Sequence, residues 1–100
     1  MNKTPISICV VDDENSIVEL LNTYFTGKGY LVHGFTASTE AREFLKQNTV
    51  DIVFTDLKMP EISGLDIVDT VKEYQKDTMV IIFTGYASID SAIRALQQGV

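Results

Sequence analysis

The stretch Ile6-Ser7-Ile8-Cys9-Val10-Val11-Asp12-Asp13 decides how the chain folds. Apart from Ser7, the run from Ile6 to Val11 is apolar without alternation, the pattern of a strand buried on both faces. It stops at two consecutive acids, which do not belong in a dry core. The period then changes, with Ile17, Leu20, Leu21, Tyr24 and Phe25 at i, i+3, i+4, i+7 and i+8, one face of a helix. Asp13 is placed to act as its N-cap, and Gly27 and Gly29 to end it.

The same alternation continues outward. Tyr30 to Phe35 reads as a second strand, interrupted by His33 and Gly34 and so suited to a sheet edge. Ala37, Ala41, Phe44 and Leu45 mark a second helix with Ser38 near its start. Asp51 to Asp56 is a third strand. After a loop stiffened by Pro60, a third helix carries Leu65, Val68 and Val71 on one stripe, with Ile67 and Tyr74 beside it. Met79 to Phe83 is the most apolar, β-branched run and reads as a fourth strand. Ile89, Ala92, Ile93 and Leu96 give a fourth helix with Ser88 as its N-cap. Strand and helix alternate with short connections. Parallel strands need crossovers of that kind, so the expectation is a single α/β domain over residues 1–100, its parallel sheet covered by helices on both faces.

Composition narrows the function. Hydrophobic residues make up 45% of the 100, enough for one core, and the formal net charge is −6. That charge argues against direct nucleic-acid binding, which draws its affinity from a basic face. It suits cations or a partner with a basic docking surface. No apolar stretch approaches the roughly 20 residues of a membrane helix, and no signal-peptide pattern opens the chain. The single Cys9 lies inside an apolar run and reads as a small buried hydrophobe, in keeping with a cytoplasmic protein. His33 has no second His or Cys near it and reads as a surface imidazole. Tyr24, Phe25, Phe44 and Tyr74 fall on helical stripes and are expected in the core.

The acids that matter fall where strands end. Asp12 and Asp13 close the first strand and Asp56 the third. In an open α/β sheet, ligands bind beyond the carboxyl ends of the strands where the strand order reverses. With the first and third strands as neighbours, all three carboxylates converge. Two like charges about 4 Å apart repel by roughly 4 kcal/mol at an effective dielectric near 20. Such a pocket takes up a proton or a cation. Hard oxygen donors without Cys or His favour Mg²⁺ or Mn²⁺ over zinc. The fourth strand runs into Thr84-Gly85, a hydroxyl donor and a residue without a side chain, at the same edge. Any one of these residues alone has an ordinary explanation as a cap or a strand end. Together they would be three unrelated accidents on three strands.

These residues resemble the receiver domains of response regulators. The similarity lies in Val10-Val11-Asp12-Asp13-Glu14, in Asp56-Leu57-Lys58-Met59-Pro60 followed by Gly64, in Thr84-Gly85-Tyr86-Ala87-Ser88, and in Ala95-Leu96-Gln97-Gln98-Gly99. The resemblance spans the chain and implies a flavodoxin-like doubly wound sheet of strand order 2-1-3-4. It implies a phosphoryl-accepting switch of a two-component system, taking the group from a phosphohistidine of a sensor histidine kinase or phosphotransfer protein onto Asp56. Asp12, Asp13, Asp56 and the Lys58 backbone carbonyl would hold Mg²⁺, with Thr84 bonding the phosphoryl group and Gly85 and Tyr86 bordering the site. The module would not be an enzyme, although its own groups would catalyse phosphorylation and dephosphorylation.

Receivers resemble one another in a fifth strand carrying a lysine before a proline, and this chain stops at Val100 before that position. The expectation is that fifth strand, fifth helix and lysine are missing, that metal binding survives while phosphoryl transfer is impaired, and that the bare fourth-strand edge invites self-association. The alternative is an interaction-only receiver working without phosphate, and only the missing lysine favours it. A phosphatase of the haloacid-dehalogenase type would want Asp-x-Asp after the first strand, which Asp12-Asp13-Glu14 does not supply.

Overall fold

The computed structural model describes residues 5–83. In chain order these form β1 (Ser7–Val11), α1 (Asn15–Gly27), β2 (Leu31–Phe35), α2 (Ser38–Gln47), β3 (Ile52–Asp56), α3 (Gly64–Tyr74) and β4 (Met79–Phe83). The fourth helix, with Thr84, Gly85, Tyr86 and Ser88, lies outside the described residues.

The four strands make one parallel sheet in the order β2-β1-β3-β4. The order reverses at β1. Because crossovers keep one hand, the helix before the reversal and those after it must cover opposite faces. They do. Ile8, Val10, Phe54 and Ile81 turn toward Val18, Leu21 and Phe25 of α1. Cys9, Val11 and Val53 turn the other way, toward Ala41 and Leu45 of α2 and Ile67 and Val71 of α3. This two-sided burial is why β1 is apolar at successive positions rather than alternate ones. Cys9 is buried in the second cluster, which pushes its thiol pKa up to about 12.

α1 closes with a Schellman arrangement that the two glycines foreshadow. Gly29 adopts φ +91°, its N–H donates to the Thr26 carbonyl, and the Tyr30 N–H donates to the Phe25 carbonyl, both at 3.0 Å. The Phe25 and Tyr30 rings, 5.8 Å apart, supply the accompanying apolar contact.

Four expectations need correcting. On α1 the buried stripe is Val18, Leu21 and Phe25, while Leu20 is 49% exposed and Tyr24 also faces solvent. At 3.6 residues per turn, Leu20 points roughly 140° away from Phe25. On α3 the buried residues are Gly64, Ile67, Thr70 and Val71, with Leu65 58% exposed and Tyr74 outside the core. In both helices the apolar residues outnumber what one sheet face can cover, so packing selects among them. Asp13 does not cap α1: the N-cap position is Glu14, and no side chain bonds there. His33, expected at the surface, is half-buried, its ring tilted against that of Phe44 with centroids 4.8 Å apart.

Candidate functional site

β1 and β3 pair with Val11 beside Thr55, so the next residues, Asp12 and Asp56, leave the sheet side by side. Carboxylate oxygens of Asp12, Asp13 and Asp56 all lie within 4.8 Å of one another. Local chemistry sets each position. The Asp12 N–H continues the ladder to the Phe35 carbonyl at 3.1 Å, and its Oδ1 accepts the Glu14 N–H at 2.8 Å. That short loop from side chain to backbone turns the chain into α1. It also leaves Asp13 exposed at the mouth of the pocket, its carboxylate uncommitted to the helix.

Asp56 is held from behind. The Leu57 N–H donates to the Phe83 carbonyl and the Leu57 carbonyl accepts the Gly64 N–H, both at 2.9 Å. These bonds fold the loop after β3 back so that α3 starts directly against Asp56. A Cβ on Gly64 would stand 2.4 Å from the Asp56 carbonyl oxygen, so no other residue fits this approach without displacing backbone. The start of α3 is fixed in turn by Asp66, whose Oδ2 accepts the Ser63 N–H at 2.9 Å.

The pocket is electrostatically unbalanced. Asp12 is 4% exposed and Asp56 6%. Asp56 Oδ1 is one of two buried side-chain polar atoms without a hydrogen-bond partner among the described residues, the other being Arg42 Nε. The one ion pair among those residues, Lys46 with Glu43 at 3.1 Å, belongs to α2. No described cation therefore neutralises the acids. Burial, and then the charges of Asp56 and Asp13, push the Asp12 pKa up to about 6, although the Glu14 N–H works against the rise. At the separations seen, a pair of full charges repels by about 3.5 kcal/mol at an effective dielectric near 20. A divalent cation removes that cost. The donor set fits one: hard oxygens only, one of them buried and unpartnered among the described residues.

Three expected site residues are therefore together, and Lys58 lies in the loop directly after Asp56, while Thr84, Gly85 and Tyr86 fall outside the described residues. Two contributors escaped sequence reasoning. Gly64 appeared only as part of a motif, and its reason, the backbone contact with Asp56, is a tertiary one. Ser38 looked like a plain helix start, yet its buried hydroxyl donates to the Pro60 carbonyl at 2.9 Å across the sheet edge.

A doubly wound parallel sheet with an acid-lined pocket beyond its two central strands defines the class: an open α/β module whose ligand site lies at the switch point of the sheet. Within that class the comparison is specific: the response regulator receiver domain family matches residues 8–100, and the chain belongs to it. The transcriptional regulatory protein GlrR of Escherichia coli K12 is 34% identical over 100 residues, covering all of this chain and 22% of that protein. The chain thus spans about a fifth of the length of this curated relative. A response regulator receiver domain protein from Clostridium thermocellum superposes with a TM-score of 0.73 at 37% identity, over 95% of this chain and 77% of that one. A response regulator from Burkholderia pseudomallei, solved with a phosphorylated aspartic acid and a calcium ion, gives a TM-score of 0.75 at 26% identity, over 95% and 56% of the two chains. The chain is accordingly a signalling module of the two-component kind. Among the described residues no helix is long and apolar enough to cross a membrane.

Proposed function

We propose that Asp56 accepts a phosphoryl group from a phosphohistidine on a sensor histidine kinase or phosphotransfer protein. The observation that carries this is the convergence of Asp12, Asp13 and Asp56 around a buried carboxylate oxygen that has no partner among the described residues. Asp56 Oδ1 is shielded from solvent, which leaves Oδ2 to approach phosphorus in line. The new O–P bond forms an acyl phosphate as the N–P bond breaks, and the histidine nitrogen leaves with the electron pair and takes up a proton.

Asp12, Asp13, Asp56 and the Lys58 carbonyl would hold Mg²⁺, or Mn²⁺ in its place. When bound, the ion neutralises the acids and the charge on the phosphoryl oxygens. The protein's own groups position and desolvate. Asp12 is fixed by its bond to Glu14, and Asp56 by the loop folded against Gly64. Thr84 follows Phe83 in sequence, and its hydroxyl would donate a hydrogen bond to a phosphoryl oxygen, with Gly85 and Tyr86 bordering the group. The same groups would account for self-catalysed phosphorylation and for hydrolysis. The phosphoryl state would then shift an existing conformational equilibrium that an output partner reads. The calcium ion and phosphorylated aspartate of the Burkholderia relative support this reading. The lone buried Cys9 fits a reducing compartment, and we place the module in the cytoplasm. We take residues 1–100 as one domain.

Acetyl phosphate with Mg²⁺ tests the proposal. One acid-stable, base-labile phosphoryl group should appear on the peptide containing Asp56 and vanish in Asp56→Asn. Modification elsewhere, or undiminished modification of Asp56→Asn, would refute it. Turnover of many phosphate equivalents would mark a phosphatase instead.

A further inference from the structure

The loop between β3 and α3 is pinned at both ends and once in the middle. Its ends are the bonds of Leu57 to Phe83 and to Gly64. In the middle, the Pro60 carbonyl takes two donors, the Ile62 N–H and the Ser38 hydroxyl, each at 2.9 Å. The bond from Ile62 spans Glu61, which sits at φ 73°, a left-handed conformation that a residue with a side chain does not hold unaided. Ser38 is 3% exposed and begins α2, whose Ala41 and Leu45 are anchored in the core. The hydroxyl therefore projects from a rigid base. Met59 and Ile62 pack against the same cluster on either side of the strained turn.

We propose that Ser38 is a positioning residue for the cation: by clamping the Pro60 carbonyl it fixes the course of the loop and, through it, the Lys58 carbonyl. This role rests on the reading of Lys58 and the three acids as the metal site. Mg²⁺ tolerates little deviation from octahedral geometry at short distances, so a loop free to drift loses affinity. The Pro60 carbonyl keeps the Ile62 N–H when the hydroxyl is removed. Stability should consequently change little while affinity falls, a split that a purely structural serine would not produce.

Mn²⁺ titration followed by the paramagnetic resonance of the free ion reads the effect. Ser38→Ala should bind roughly 10-fold more weakly, at the low end of what loss of a ligand's supporting partner costs. Thr70→Val, which removes another hydroxyl bond (to the Asp66 carbonyl at 2.9 Å), should bind as the parent does. Glu61→Gly, free of the conformational strain, should be at least as stable as the parent yet bind more weakly. Parent-like binding by Ser38→Ala or by Glu61→Gly, or an equal loss in Thr70→Val, would overturn the role of Ser38. A parent that binds no Mn²⁺, or an Asp13→Asn variant that binds undiminished, would instead overturn the reading of the site, and with it this role.

Discussion

The two ends of this sheet are built to opposite rules. At the amino end, the buried Gln75 satisfies every group around it. Its Nε2 donates to the Leu45 carbonyl at 2.8 Å and the Asn48 carbonyl at 2.9 Å, and its Oε1 accepts the Val50 N–H at 3.1 Å. The Thr78 hydroxyl, 2.6 Å from both Gln75 Oε1 and the Val50 carbonyl, donates its one proton to either. Even the acid there is spent, since Asp51 Oδ2 accepts the Ser7 N–H at 2.8 Å. At the carboxyl end, three carboxylates crowd together and one buried oxygen has no partner among the described residues. Among the described residues, the same strands thus carry one end whose polar groups are paired and one whose acids are not. Stability is invested at one pole, and reactivity at the other.

The contrast can be broken most forcefully at the amino end. Gln75→Leu would strand the Val50 N–H and two carbonyls, and urea unfolding should show a loss of about 4 kcal/mol. A loss below about 1 kcal/mol would mean that the network is ornamental.

The carboxyl end should respond to pH. The Asp12 pKa is raised from 3.8 to about 6 on folding, so the folded state holds a proton that the unfolded state has released. Stability of the metal-free chain should therefore fall as pH rises from about 4 to about 6, by up to about 3 kcal/mol, and stay lowered above that range. The difference between parent and Asp12→Asn across this window isolates the group, and a flat difference would contradict the assignment.

Removing a charge from the strained pole should have the opposite sign to removing the amide from the satisfied one. Asp56→Asn should stabilise the metal-free chain at neutral pH by roughly 2 kcal/mol while ending its response to Mg²⁺. Destabilisation would show that repulsion is not what the pocket stores. The smallest effect belongs to Gly29, where a Cβ meets nothing but φ is +91°. Gly29→Ala should cost about 1 kcal/mol by thermal unfolding and leave Mg²⁺ binding untouched.

Much of this was legible in the residues. The unbroken apolar run Ile8–Val11 and the alternation of strand with helix led to a doubly covered parallel sheet, and acids at strand ends led to the pocket. The strand order came from the resemblance to receivers, because periodicity does not say which strands are neighbours. The faces of α1 and α3 were misjudged at Leu20, Tyr24, Leu65 and Tyr74, since a surplus of apolar residues leaves the choice to packing against the sheet. Gln75 and Ser38 gave no signal at all. Apart from Thr78 beside Gln75, their partners lie 22 to 30 residues away in sequence and meet them only in the folded chain. The role of Asp12, with its turn to Glu14, took over the helix entry assigned to Asp13, which freed Asp13 for the pocket.

The central claim is that a divalent cation completes the carboxyl end. Thermal unfolding at neutral pH, with and without Mg²⁺ at about ten times its dissociation constant, tests it most directly. The account predicts about 1.4 kcal/mol of stabilisation for the parent, a rise of roughly 5–10 °C, and none for Asp56→Asn. An unfolding midpoint that ignores Mg²⁺, or one that rises equally in both chains, would contradict it.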